Sequence, residues 1–177
     1  MVMTKSPVDI SVIATAVELA FRAPSLHNSQ PWRWVASNTA VDLFADPHRV
    51  VRSHDSSGRE ALISCGVALD HFRVAMAAAG WNTTVTQFPD PDKLDHLASI
   101  TFTALEFVTQ GLRYRADAIL QRRTDRLPFR APSKSLELVL RSSLNGLATL
   151  DVLADEARPR LAEATRLTES IRHDDDF

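Results

Sequence analysis

Two segments of the 177-residue chain concentrate side chains that can bind a small polar molecule. The first is RAPSLHNSQPW at residues 22–32, which places a hydroxyl, an imidazole and two amides within six loop residues: Ser25, His27, Asn28 and Gln30. Pro24 and Pro31 restrict the backbone on either side. Such a loop holds donors and acceptors at fixed positions, which suits the edge of a flat heteroaromatic ring. The alternative is an Asx or Ser turn that only ends the preceding helix.

The second segment is the basic run RRTDR, which begins at residue 122. It offers three guanidinium groups and a hydroxyl within five residues: Arg122, Arg123, Thr124 and Arg126. A phosphate dianion is bound well by guanidinium forks and a short hydroxyl donor. Each charge-assisted hydrogen bond contributes about 1.5–3 kcal/mol. The alternative is a solvated basic helix end, where Arg is favoured by the helix dipole.

Other sequence features argue against a protein-based nucleophile or a metal centre. The six histidines form no HExxH pattern, and a histidine without such a partner is most often a hydrogen-bonded surface or core residue. The single Cys65 falls on an apolar helix stripe, which predicts an inert buried thiol. No glycines flank Ser25 as in a nucleophile elbow. The five glycines lie far apart, which excludes dinucleotide GxGxxG and P-loop motifs.

The composition predicts an ordinary globular protein. The hydrophobic share is 45% and the charged share is 24%. A net charge of −2 and a pI near 6.3 argue against a dedicated nucleic-acid-binding protein. We find no apolar run close to the roughly 20 residues of a membrane span. Because there is one cysteine and no signal-peptide pattern, we expect a cytoplasmic protein.

Helical and alternating patterns predict how these segments are positioned. Apolar residues that recur at three and four positions predict helices over about 9–21, 59–79, 106–122, 136–147 and 156–171. Alternating patterns predict strands at 32–35, 41–44, 83–88, 98–104 and 150–154. The first helix would bury Ile10, Ile13, Val17 and Ala20. The 59–79 helix would bury Leu62, Cys65, Leu69, Phe72, Met76 and Ala79. Helices and strands mixed along the chain predict an α+β (mixed α/β) fold.

The two binding segments together resemble a known family. The loop APSLHNSQPW resembles the flavin-contacting loop PSxxNxQPW of the nitroreductase superfamily, and RRTDRLPF resembles its phosphate arm, RRSxRxF. With GREALISCGVALDHFRVAMAAAGW between them, the combination is similar to the Acg-like family of mycobacteria and other actinobacteria. The resemblance implies a nitroreductase-like fold, with helices packed on a mostly antiparallel sheet.

The order of the two motifs is the reverse of that in an ordinary nitroreductase. There the arm comes first, whereas here it follows the loop by about ninety residues. The resemblance therefore implies a first repeat over 1–121 that keeps the loop, and the start of a second repeat over 122–177 that keeps the arm. It also implies a chain truncated after roughly the N-terminal half of a family member. A homodimer would be one way to complete the missing half.

The resemblance also implies a cofactor and a reaction. Carried over residue by residue, Pro24, Ser25, Asn28 and Gln30 would face the FMN ring, with His27 a weaker candidate. The FMN phosphate and ribityl chain would be faced by Arg122, Arg123, Thr124 and Arg126. The function would be hydride transfer from NAD(P)H through FMN to a nitroaromatic or quinone acceptor, with no catalytic side chain. The alternatives are a non-catalytic protein that binds or sequesters FMN, and a truncated remnant without flavin.

Overall fold

The computed structural model describes residues 8–37, 39–125, 127, 134–144 and 148–174. The chain divides into two units, Met1–Arg123 and Thr124–Phe177. The helices of the first unit are α1 (Ile10–Ala20), α2 (Arg59–Ala78) and α3 (Gln110–Gln121). Its strands are β1 (Trp32–Ala36), β2 (Val41–Ala45), β3 (Trp81–Gln87) and β4 (His96–Ala104). The second unit contains α4 (Lys134–Ser143) and α5 (Arg158–Asp174).

The four strands form one antiparallel sheet in the order β1-β2-β4-β3. In its register Trp34 lies opposite Leu43, and Val85 lies opposite Ile100. The β1–β2 turn is closed by the Ser37 N–H, which donates to the Ala40 carbonyl at 2.8 Å. Alternate side chains of the central strands β2 and β4 are buried, as expected for a sheet with one covered face. The predicted mixed fold with a mostly antiparallel sheet is thus confirmed.

Helix α2 is the centre of the hydrophobic core. It starts after Gly58, whose φ of 72° is readily adopted only by glycine, and the buried carboxylate of Asp55 accepts a hydrogen bond from the Ala61 N–H at 2.8 Å. Its buried face combines large Phe72 and Met76 with small residues, namely Ala61, Ser64, Cys65, Ala68 and Ala75. Small side chains let α2 pack closely against α1, α3, β2 and β3. The helix is long and apolar enough to span a membrane, a property that core helices share.

Helices α1 and α3 begin at side-chain caps. The carboxylate of Asp9 accepts from the Ser11 N–H at 2.8 Å, and this bond lowers the pKa of Asp9. The hydroxyl of Thr109 accepts from the Leu112 N–H at 3.3 Å. Because this cap fixes its first turn, α3 begins at Gln110 rather than at the predicted residue 106.

Some predictions about buried residues, and one about a strand, are wrong. Ile10 is 64% exposed and Leu62 is 48% exposed, because the buried faces of their helices are completed by alanines and Ser64 instead. Ala79 is exposed because it follows the last turn of α2. The predicted strand at 150–154 does not form. A strand needs a neighbour for its backbone hydrogen bonds, and the described residues of the second unit contain no strand that could supply one.

The second unit consists of two described helices with exposed apolar side chains. On α4 these are Leu136, Leu138, Val139 and Leu140, and on α5 they are Leu161, Leu167 and Ile171. Ion pairs stabilise the turns locally: Arg141 binds Glu137 at 2.9 Å, and Arg158 binds Asp155 at 2.6 Å. Such exposed pairs contribute little stability.

Candidate functional site

The loop between α1 and β1 has an unusual backbone. A single 3₁₀ turn at Leu26–Asn28 precedes Ser29, Gln30 and Pro31, which lead into β1. Three of its non-glycine residues adopt left-handed conformations: φ is 49° at His27, 55° at Asn28 and 49° at Gln30. Such conformations cost of order 1 kcal/mol each and cluster at ligand-binding sites. The loop therefore has a specific shape, which the rest of the first unit must stabilise.

Hydrogen bonds to the chain itself stabilise this shape. The Ser25 hydroxyl accepts from the Gln30 N–H at 3.0 Å, and the Asn28 N–H donates to the Ser25 carbonyl at 3.0 Å. The Pro31 carbonyl accepts from the Asp46 N–H at 3.0 Å and from the Cys65 thiol at 3.2 Å. The predicted turn is thus present, and it is also anchored to the core.

The side chains predicted to face a flavin ring differ in exposure. Pro24, His27 and Asn28 are exposed, whereas Ser25 and Gln30 are half-buried. The Gln30 amide donates weakly to the Phe21 carbonyl, at 3.4 Å, so its oxygen remains available as an acceptor. The Ser25 hydroxyl oxygen accepts from the Gln30 N–H, and the hydroxyl can still donate its own hydrogen. The donor and acceptor set of this loop therefore fits the N–H and C=O groups on the edge of a flavin ring.

A second loop, which joins β2 to α2, contacts the first loop through His54. The rings of His27 and His54 are in contact at a steep angle of 75°, with 4.6 Å between their centroids. His54 is itself oriented by the Ser53 hydroxyl, which lies 2.9 Å from Nδ1. No periodicity or motif connects residues 27 and 54, so only the fold could reveal this contact. His96 is also paired, with its Nε2 3.0 Å from Oδ1 of Asp42.

The predicted phosphate arm is divided by the structure. Arg122 and Arg123 belong to the first unit and Thr124 to the second, while Arg126 lies outside the described residues. Arg122 is half-buried, and its Nη2 donates to the Arg22 carbonyl at 2.9 Å, so it reaches the first residue of the loop. Arg123 and Thr124 are exposed. The roles of these four residues toward a phosphate stay predictions.

The cysteine beside the loop has a structural role, and no metal site is found near it among the described residues. Burial raises the pKa of Cys65 to about 12, so the thiol is protonated at neutral pH and the expectation of an inert core cysteine fits. Across the described part of the chain, no group of three His, Cys, Asp or Glu side chains could hold a metal ion.

Known proteins similar to this chain are nitroreductase relatives. No family model matches. The chain is 56% identical over 173 residues to a Mycobacterium tuberculosis protein named "Putative NAD(P)H nitroreductase acg", covering 96% of this chain and 52% of that protein. Another M. tuberculosis protein, also named a "Putative NAD(P)H nitroreductase", is 48% identical over 121 residues, or 68% of this chain and 35% of that protein. The chain spans about half the length of this acg protein.

A solved structure supports the same fold. A crystal structure of a "putative nitroreductase in complex with FMN" from Desulfovibrio desulfuricans superposes with a TM-score of 0.50 and 14% identity, covering 85% of this chain and 90% of that chain. At this identity the likeness concerns the fold alone. The 56% identity to the acg protein over 96% of this chain shows that the chain belongs to the Acg-like family of the nitroreductase superfamily.

Proposed function

We propose that the chain binds FMN and that the loop at residues 24–30 contacts the flavin ring. The observation that carries this proposal is the left-handed backbone of His27, Asn28 and Gln30, held by the Ser25–Gln30 hydrogen bond. A backbone that is unfavourable for these residues persists where its shape is needed. Here it leaves the polar side chains of His27 and Asn28 exposed, a few residues before the buried Trp32 that starts β1.

The phosphate of FMN would be bound by Arg123. Its side chain is exposed and makes no hydrogen bond or ion pair within the described residues, so a guanidinium fork remains for a dianion. Arg122 is less suited, because its Nη2 already binds the Arg22 carbonyl. Thr124 and Arg126 are proposed as further ligands on the motif alone.

The reaction we propose is NAD(P)H-dependent reduction of a nitroaromatic or quinone acceptor. Bound FMN would supply the redox chemistry. The names of the M. tuberculosis relatives support this class of reaction. The chain's own residues would orient the ring through the loop and neutralise the phosphate charge. The partners are therefore the flavin and a small electron acceptor.

A visible absorption spectrum tests both parts of the proposal. Purified protein, before and after addition of FMN and gel filtration, should retain a flavin band near protein stoichiometry. Anaerobic addition of NADPH, or of NADH, should bleach that band, and a nitroaromatic or quinone should restore it. Retained flavin that neither nucleotide reduces would refute the oxidoreductase and favour the non-catalytic FMN-binding alternative. A colourless protein after FMN addition would refute flavin binding altogether.

A further inference from the structure

The first loop, between α1 and β1, is joined at two points to the second loop, between β2 and α2. At the backbone, the Asp46 N–H donates to the Pro31 carbonyl at 3.0 Å. At the side chains, the rings of His27 and His54 are 4.6 Å apart between centroids. The backbone bond fixes the end of the first loop that enters β1. The ring contact falls on the earlier part of that loop, at the first of its left-handed residues.

His54 is held in place by hydrogen bonds in its own loop. The His54 and Asp55 N–H groups both donate to the Val51 carbonyl, at 3.0 and 2.9 Å. Asp55 is only 5% exposed, and its carboxylate accepts from the Ala61 N–H in the first turn of α2. The imidazole itself is oriented by the Ser53 hydroxyl, which lies 2.9 Å from Nδ1. The backbone beside His54 is thus attached to the core helix, and its ring offers a fixed surface to the first loop.

The side chain of His27 has no comparable support from its own loop. Its φ is 49°, and within the described residues its side chain makes no hydrogen bond or ion pair. The hydrogen bonds that close the loop are made by its neighbours, from the Asn28 N–H to the Ser25 carbonyl and from the Gln30 N–H to the Ser25 hydroxyl. A strained residue persists only where its surroundings determine its conformation. For His27, the ring of His54 supplies that determination from outside the loop.

A metal site is the other reading of two neighbouring imidazoles. Structural and catalytic zinc sites take three or four protein ligands. In the part of the chain that the structure describes, no third His, Cys, Asp or Glu joins the pair. The Nδ1 of His54 is also already engaged by Ser53. The observations therefore favour a contact between rings over a shared metal ion.

We propose that His54 is a positioning residue for the flavin site: its fixed ring holds His27, and the left-handed turn that follows, in the shape that binds the ligand. In this role His54 acts through His27 and touches no ligand. Without it the first loop relaxes, and a ligand must restore the binding shape at a cost in affinity. The step from loop shape to flavin rests on the proposed function, whereas the step from His54 to loop shape does not.

Amide hydrogen exchange on the intact chain, followed by NMR, tests the first step without flavin. The reporters are the Asn28 and Gln30 N–H groups, which close the loop. In His54→Ala both should exchange about 2- to 10-fold faster, the range expected for loss of an aromatic pair. The Ser11 N–H, bound to Asp9 in the cap of α1, should keep its rate as an internal reference. Unchanged loop amides in His54→Ala would overturn the proposal.

The conservative variant His54→Phe separates the ring from its nitrogens. Phenylalanine keeps a flat ring that can contact His27 but loses the bond to Ser53. If the contact between rings carries the effect, His54→Phe should exchange its loop amides within about 2-fold of wild type. Exchange as fast as in His54→Ala would overturn the claim that the ring of His54 holds the loop.

A double-mutant cycle on riboflavin affinity tests the second step. In the wild-type background His54→Ala should weaken binding by about 2- to 10-fold. In the His27→Ala background it should change affinity by less than about 2-fold, because no ring is left to hold. His48→Ala is the matched control, since His48 lies exposed in the same loop and its side chain has no partner among the described residues. Equal losses in both backgrounds would overturn the proposal.

The failure of this proposal can be told apart from the failure of the proposed function. If wild type binds neither riboflavin nor FMN, flavin binding is refuted, and hydrogen exchange still decides whether His54 holds the loop. If wild type binds flavin and His54→Ala binds it equally well, flavin binding stands and the positioning role is overturned. Urea unfolding of each variant verifies that the loss of affinity is measured on folded protein.

Discussion

The hydrogen bond from the Gln30 N–H to the Ser25 hydroxyl, 3.0 Å long, is the contact that most directly holds the loop in its left-handed shape. Ser25→Ala removes the acceptor and leaves a half-buried N–H without a protein partner. Such a loss costs about 1–3 kcal/mol, and access of water to this half-buried site favours the lower end. Relaxation of Gln30 to an ordinary φ would return about 1 kcal/mol. We therefore expect the free energy of unfolding to fall by at most about 1 kcal/mol.

The same relaxation should weaken flavin binding more than it weakens folding. A bound ligand needs the strained loop shape, so the variant must restore that shape on binding, which costs a further 1 kcal/mol or so. That cost corresponds to roughly a 5-fold loss of affinity; the lost folding stability does not add to it, because it is common to the free and the bound protein. FMN and riboflavin should be affected alike, because Ser25 is assigned to the ring and not to the phosphate.

Urea denaturation followed by tryptophan fluorescence and titration by flavin fluorescence quenching measure the two effects. Ser29→Ala is the matched control, since the Ser29 hydroxyl makes no hydrogen bond to the described residues and lies in the same loop. It should change both quantities by less than about 0.5 kcal/mol. Equal effects of the two substitutions, or a loss at Ser25 confined to FMN, would refute the reasoning.

Three further substitutions or probes test separate parts of the description. Arg123→Ala should weaken FMN binding by about 1.5–3 kcal/mol and riboflavin binding much less, measured by the same quenching titration; equal losses would reject the phosphate role. Asp55→Ala should lower the free energy of unfolding in urea by about 1–2 kcal/mol, because the Ala61 N–H loses its cap, whereas Asp55→Asn should lose less; an unchanged midpoint would contradict the capping role. Cys65 should react with a chromogenic disulfide reagent at pH 8 at least about 100-fold more slowly in the folded than in the urea-unfolded protein, because its pKa is raised to about 12; fast labelling of the folded chain would contradict its burial.

Much of the fold could be predicted from local patterns. The β1–β2 hairpin, the β3–β4 pair and the long helix α2 all follow from alternation or from a three-and-four spacing of apolar residues. The exposure of Ile10 and Leu62 could not be predicted, because hydrophobicity alone ranks them above the alanines that in fact face the core. Here close packing of small side chains decides the buried face.

The candidate site was predictable in composition but not in geometry. The motif identifies which residues of the loop carry polar groups, yet it indicates neither the left-handed backbone of His27, Asn28 and Gln30 nor the anchoring of the Pro31 carbonyl by Cys65 of α2. The link from Arg122 to Arg22 joins residues a hundred positions apart, and the contact between His27 and His54 joins two loops. Such contacts depend on how α1, α2 and α3 meet, which no local pattern encodes.

The alanine-rich packing of α2 has a consequence for how the loop can evolve. Ala16 and Ala20 of α1 are buried in the same core as Ala68 and Ala75 of α2, so small side chains set the separation of the two helices. A single added methyl group between these helices would push α1 outward, and the loop that starts two residues after its end would move with it. Substitution of a residue that contacts no ligand can therefore change the distance between the loop and α2. Variation of Ala20 should in this way alter ligand preference while every polar residue of the loop is kept.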